Sequence, residues 1–163
     1  MTASLISLAA AALLTAADQL IKFFIERDLQ PVMSADFING FIGWKYVRNT
    51  GAAFGSFAQS TTLLSVFTGI VLLAGIALIL SGKLKKKYYL VCATLIVAGG
   101  LGNLIDRIFR GYVVDFIEVQ FVNFAVFNFA DILVTVGAFM LIGYLLYDTF
   151  RERSEKKKGE NNG

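Results

Sequence analysis

The chain has 163 residues, of which 56% are hydrophobic, with a mean hydropathy of +0.67 and a formal net charge of +3. It is too apolar for an ordinary soluble domain, and no histidine and a single cysteine exclude the usual zinc sites and any disulfide within one chain. No glycine-rich loop precedes a Lys-Ser or Lys-Thr pair, and the basic residues cluster beside apolar runs, so nothing points to nucleotide or nucleic-acid binding.

The first apolar run covers about Ser4 to Ile25. Its start is uncharged and it is long enough to cross a bilayer, unlike a cleaved signal peptide, so it is read as a retained helix. Asp18 and Lys22 lie at its distal end, spaced i, i+4 on one face, within reach of an ion pair. Such a pair is explained by structure alone, because pairing avoids the larger penalty of one unpaired intramembrane charge. Val32 to Ile38 and Phe41 to Val47 then read as strands joined at Asn39-Gly40, a strong hairpin signal. In Arg48-Asn49-Thr50-Gly51-Ala52-Ala53-Phe54-Gly55, small residues around one amide say that backbone approaches something closely.

The second run, Thr61 to Leu80, carries no charge and leads into Lys83, Lys85, Lys86 and Lys87. The third, Tyr88 to Phe109, holds Cys92 mid-span, where a small hydrophobe fits, and ends in a polar group. Asn103, Asp106 and Arg107 stand at i, i+3 and i+4 behind glycines at 99, 100 and 102 that admit another backbone. That group serves helix packing and an interfacial Asp-Arg anchor, or it orients a neighbouring catalytic side chain. Tyr112 to Val119 and Phe121 to Phe127 read as extended, and with the earlier hairpin they predict a small sheet on the membrane surface. The fourth run, Phe129 to Tyr147, begins behind Asn128, an N-cap, with Asp131 in the first turn.

Arg151, Arg153, Lys156, Lys157 and Lys158 follow the fourth run, so both basic clusters share one side, which the positive-inside rule makes cytoplasmic. Both termini are then inside, and residues 26–60 and 110–128 outside. The expected fold is a membrane all-α core of four transmembrane helices with a small extracytoplasmic β-sheet, one domain over residues 1–150 and a disordered cytoplasmic tail at 151–163. Asp115 and Asp131 then share the outer face. A carboxylate near the bilayer is costly and functional by default, and two brought together share a proton and activate a water without a metal.

These residues resemble the lipoprotein signal peptidases, signal peptidase II of bacteria. Asp18-Gln19 with Lys22 is similar to that family's first motif, and Asn49-Thr50-Gly51-Ala52-Ala53-Phe54-Gly55 to its second. Gly102-Asn103-Leu104-Ile105-Asp106-Arg107, Val113-Val114-Asp115-Phe116 and Phe127-Asn128-Phe129-Ala130-Asp131 are similar to its third, fourth and fifth, all in the family's order. The resemblance implies a catalytic dyad of Asp115 and Asp131, positioned by Asn103, Arg107 and Asn128, with Asn49 and Gly51 on the substrate backbone. Asp18, Lys22 and Asp106 would hold the site in shape, and the outer strands with a segment near Ala53 would clamp the peptide.

It further implies a prolipoprotein substrate carrying diacylglycerol on its cysteine, cleaved on the amino side of that cysteine, with inhibition by globomycin. No cofactor and no metal are expected. The partners are the substrate and membrane lipid, and the chain is expected to act as a monomer in the bacterial cell membrane. Asp131, at a helix start, is the expected charged partner. A small proton- or ion-coupled transporter is the rival reading, and it would need polar groups along a full crossing path. A membrane scaffold would leave five polar groups at one depth without a purpose.

Overall fold

The computed structural model describes residues 2–51 and 61–161, with backbone alone at 61 and from 157 onward. Helix α1 spans Thr2–Phe24 and runs into a π-helical turn, Ile25–Leu29. Strands β1, Ser34–Ile38, and β2, Ile42–Asn49, precede α2, Thr61–Leu80. Then come α3, Lys87–Phe109, strand β3, Val113–Val119, and α4, Phe129–Asn161. Among the described residues, four helices are long and apolar enough to cross a membrane.

The bundle has its apolar side chains outward. Along α1 the buried residues are Ser4, Ser7, Ala11, Thr15, Asp18 and Lys22, a stripe of small and polar side chains at helical spacing, while Leu5, Leu13, Leu20 and Phe23 are exposed. Lipid tails solvate leucine and phenylalanine as well as a protein core does, so close packing and hydrogen bonds drive the association of these helices. Ser4 Oγ donates to the Ile79 carbonyl of α2 at 2.8 Å, and Thr15 Oγ1 donates to the Ala98 carbonyl of α3 at 3.0 Å. Helix α3 is central and packs on the other three. Gly99 lets α4 approach until a Cβ there would collide with the Ala130 carbonyl, and Cys92 is buried, as a small core residue should be.

The three strands form one antiparallel sheet in the order β1-β2-β3, at the end of the bundle where α1 and α3 finish and α4 begins. The hairpin turns at Gly40, whose φ of +75° favours glycine. Leu29, Tyr46, Val114 and Phe116 make a small core that fixes the sheet to the end of α1.

Two stretches differ from the sequence reading. Phe121 to Phe127 is not a strand: its one ladder contact is the bridge of Phe127 to Ile117, because the chain must turn at once to reach the start of α4. Helix α4 continues past Phe150, where the tail was expected to be disordered, to Asn161. Arg, Glu and Lys are good helix formers, and Arg151 pairs with Glu155 one turn on at 2.9 Å. The segment near Ala53 expected to clamp a peptide lies outside the described residues.

Candidate active site

Alternation along β3 decides which way Asp115 faces. Val114 and Phe116 turn into the small core beneath the sheet, so Val113 and Asp115 turn the other way, into a cavity of about 790 Å³ that Asn49 and Asp131 also line. In the ladder Asn49 opposes Val113, two residues from Asp115 on the same face, and this diagonal brings Asn49 Nδ2 to Asp115 Oδ2 at 2.9 Å. The other oxygen, Oδ1, accepts from Asn128 Nδ2 at 2.6 Å.

Asp131 enters from the first turn of α4. Its Oδ2 accepts the Asn128 backbone N–H at 3.1 Å while its own N–H donates to Asn128 Oδ1 at 2.9 Å, a reciprocal capping box in which the cap and the acid fix each other. Its Oδ1 accepts from Asn103 Nδ2 at 2.7 Å. All four oxygens of the two aspartates therefore have a donor. Asn128 donates its side-chain amide to Asp115 and to Asn103 Oδ1 at 3.1 Å and its backbone N–H to Asp131, so one buried residue bridges the two carboxyls.

The environments of the two carboxyls differ. Asp131 stands at a helix N-terminus, where the peptide dipoles favour negative charge. Asp115, 2% exposed on a strand, has no such field, and burial first, then the charge of Asp131, push its carboxyl up to about 6 against the pull of its Asn49 and Asn128 bonds.

Behind the pair lies a buried ion cluster. Lys22 Nζ, fully buried, reaches Asp18 Oδ2, Asp106 Oδ2 and Asn103 Oδ1, each at 2.9 Å, which uses all three ammonium donors. Asp18 Oδ1 accepts the Ala130 N–H at 3.0 Å, beside Asp131, and Asp106 Oδ2 accepts the Val114 N–H at 3.1 Å, beside Asp115. Gly102 makes this possible: a Cβ there would stand 2.5 Å from Asp18 Oδ2. Arg107 lines the cavity, donates to the Asn103 carbonyl at 3.4 Å, and keeps a buried Nε with no partner among the described residues. Gly51 lines the cavity too, and its N–H donates to Asn49 Oδ1 at 3.0 Å.

All ten residues singled out in the sequence thus meet in one network. Six line the cavity: Asn49, Gly51, Asn103, Arg107, Asp115 and Asp131. Asn128, Asp18, Lys22 and Asp106 support them from behind. The sequence reading gave Gln19 and Arg110 no part. Gln19 Nε2 donates to Asp18, Asp106 and the Gly102 carbonyl, and Arg110 bonds to Asp106 at 2.7 Å, Gln19 at 3.0 Å and Glu26 at 2.9 Å. The signal for Arg110 was its i+4 spacing from Asp106.

A family model described as "Signal peptidase (SPase) II" matches residues 10–147. The chain is 35% identical over 150 residues to a lipoprotein signal peptidase of Enterococcus faecalis, covering 92% of each chain. It is 39% identical over 132 residues to one of Streptococcus agalactiae, covering 80% of this chain and 84% of the other. Its structure is similar to that of a bacterial membrane enzyme solved by the in meso method at 2.3 Å resolution, with a TM-score of 0.78 and 33% identity over 88% of each chain. With a family model over most of its length, relatives above 30% identity across most of both chains and a solved structure of the same fold, the chain belongs to the signal peptidase II family, membrane aspartyl peptidases that remove signal peptides from prolipoproteins.

Proposed function

We propose that Asp115 and Asp131 are the catalytic dyad of this peptidase and that the substrate is a prolipoprotein whose cysteine already carries diacylglycerol, cut on the amino side of that cysteine. The observation that carries this reading is that both carboxyls face one cavity and are bridged by Asn128.

Asp131 is the ionised partner and takes a proton from a water held between the pair. The water attacks the scissile carbonyl, and protonated Asp115 donates to the developing oxyanion. The proton taken by Asp131 then passes to the leaving amine. Arg107, with a buried donor unused among the described residues, and Asn49 with the Gly51 backbone hold the peptide, while Asn103 and Asn128 keep the two carboxyls at a fixed separation. The described cavity is apolar around its polar floor, as a peptide beside lipid requires. A transporter reading finds no support, since no charged residue lies between Asp131 and Asp148 on α4, or anywhere along α2.

The dyad sits where helices end, level with lipid headgroups, so two acyl chains beside the scissile bond bring the peptide to the right plane. Each buried methylene contributes about 0.8 kcal/mol. The same precursor without its diacylglyceryl group is expected to be cut poorly or not at all, and EDTA to leave the rate unchanged, with mass analysis of the products as the readout. Equal turnover of both precursors would make this a general intramembrane aspartyl protease.

The protein acts as a monomer in the cell membrane, one domain over residues 1–150 with 151–163 a cytoplasmic extension, both termini inside, the dyad at the outer face, and globomycin its inhibitor. An impermeant thiol reagent on intact cells, in a Cys92→Ala background, should label Asn39→Cys and spare Lys85→Cys. The reverse pattern would overturn the orientation.

A further inference from the structure

Of the donors on the aspartate oxygens, three come from side-chain amides, and an amide can aim either its NH2 or its oxygen at a neighbour. Something must decide which. For Asn49 and Asn128 the decision is made by backbone: the Gly51 N–H occupies Asn49 Oδ1, and the Asp131 N–H occupies Asn128 Oδ1. Among the described residues, Asn103 has no backbone donor on its oxygen. That oxygen faces Lys22 Nζ at 2.9 Å and Asn128 Nδ2 at 3.1 Å.

An ammonium has donors and no acceptor, so it tolerates the amide in one orientation alone. We infer that Lys22 is a positioning residue that acts through Asn103: by occupying the amide oxygen, it aims the Asn103 NH2 at Asp131. This inference rests on the reading of Asp131 as half of the dyad. Lys22 touches neither dyad aspartate. Its charge also favours the ionised form of Asp115 through space, but its hold on Asp131 passes through the 2.9 Å bond to Asn103 and the 2.7 Å bond from Asn103 to Asp131.

Asn128 also donates to the Asn103 oxygen, so loss of Lys22 weakens the orientation without abolishing it. The bond from an ammonium is the stronger of the two because it is charge-assisted. The other two Lys22 donors go to Asp18 and Asp106. A bare Lys22→Met change would leave Asp18 buried and unpaired, whereas Asp106 keeps Arg110 at 2.7 Å.

The experiment therefore compares Asp18→Asn, which keeps Lys22 on Asn103, with the charge-balanced pair Asp18→Asn, Lys22→Met. With asparagine side chains labelled with 15N in detergent, the Asn103 amide signal of the double variant should shift and exchange faster than in the single variant. The Asn49 amide, held by the Gly51 N–H, should not move. On the lipidated precursor, kcat should fall about tenfold with KM unchanged, the rate equivalent of a coupling of roughly 1.4 kcal/mol.

An unmoved Asn103 amide, or a kcat equal to that of Asp18→Asn, overturns the inference. So does a double variant that fails to fold, because Lys22 is then needed for packing and nothing finer. A wild-type chain that does not cut the lipidated precursor defeats the functional reading instead, and the amide signals still test what Lys22 does to Asn103.

Discussion

The two ends of the helix bundle each hold a carboxylate paired with a lysine, and they use it differently. At the end away from the sheet, Asp148 of α4 takes Lys86 Nζ at 2.6 Å, both of its oxygens the Tyr88 hydroxyl at 2.8 Å, and the Tyr89 hydroxyl at 2.6 Å. Every donor there converges on one acceptor, and the group ties the start of α3 to α4. At the sheet end, Lys22 spreads its donors over three acceptors, and each of those bonds onward: to the N–H beside Asp131, to the N–H beside Asp115, and to Asp131 itself. Lys86 is 46% exposed, while Lys22 is fully buried. Pairing alone therefore does not mark a carboxylate as functional. What marks it is whether its chain of bonds ends on groups that face open space.

The sharpest way to break this comparison is to neutralise the groups that face the cavity. Asp115→Asn and Asp131→Asn should each lower cleavage of a lipidated precursor by about ten-thousandfold, since an amide of the same shape neither takes the water's proton nor holds the pair's charge. Asp115→Asn should also remove a pH dependence of stability. The carboxyl, raised from 3.8 to about 6, binds its proton more tightly when folded than when unfolded. Its ionisation therefore costs stability progressively as pH rises across that interval, and the wild type carries a penalty of about 3 kcal/mol at neutral pH that the variant lacks. Melting curves at pH 4 and pH 8 read the difference: relative to the wild type, the variant should stand higher at pH 8 than at pH 4, even after the cost of an asparagine NH2 that meets a donor of Asn49 or Asn128. Cleavage by either variant near the wild-type rate would remove the dyad from the account.

A smaller effect is expected from Asn49→Ala. The Asn49 bond to Asp115 Oδ2 stabilises the ionised carboxyl, so its loss raises Asp115 further above about 6. The proposed mechanism needs Asp115 protonated, and the basic limb of kcat/KM reports the free enzyme. That limb should begin near pH 6 in the wild type and move up by about one unit in the variant, while kcat/KM itself falls. A limb that moves down, or stays, would mean that Asp115 is not the proton-holding partner.

Much of this arrangement was legible in the chain. Four spans followed from run length and charge, the hairpin from Asn39-Gly40, and the candidate aspartates from carboxyls at a membrane boundary. What stayed hidden were links that depend on contacts distant in sequence. That Lys22 meets Asp106 as well as Asp18 requires α1 and α3 to touch at Gly102, and periodicity along one helix cannot report which helix it faces. Gln19 stands in the first motif but received no role, because a lone glutamine beside an aspartate carries no spacing signal, although it bonds to both carboxylates of the cluster. Phe121 to Phe127 looked like a strand because aromatic residues favour extended backbone. The short distance left to the start of α4 decided otherwise, which is a tertiary constraint.

The smallest expected effect belongs to Asp148→Asn, and it tests whether the far end is as separate as its bonding implies. The asparagine keeps one oxygen to accept from the two tyrosines but loses the charge that Lys86 meets. Because Lys86 is half in solvent, the pair contributes little. The stacked rings of Tyr88 and Tyr144, 4.2 Å between centroids, still join α3 to α4. The melting temperature should therefore drop by a few degrees at most, and kcat and KM on the lipidated precursor should stay within twofold, since no charged residue connects Asp148 to Asp131 along α4. A fall in kcat as large as that of Asn49→Ala would show that strain at this end reaches the dyad through α4, and the division of the bundle into a fastening end and a working end would have to be given up.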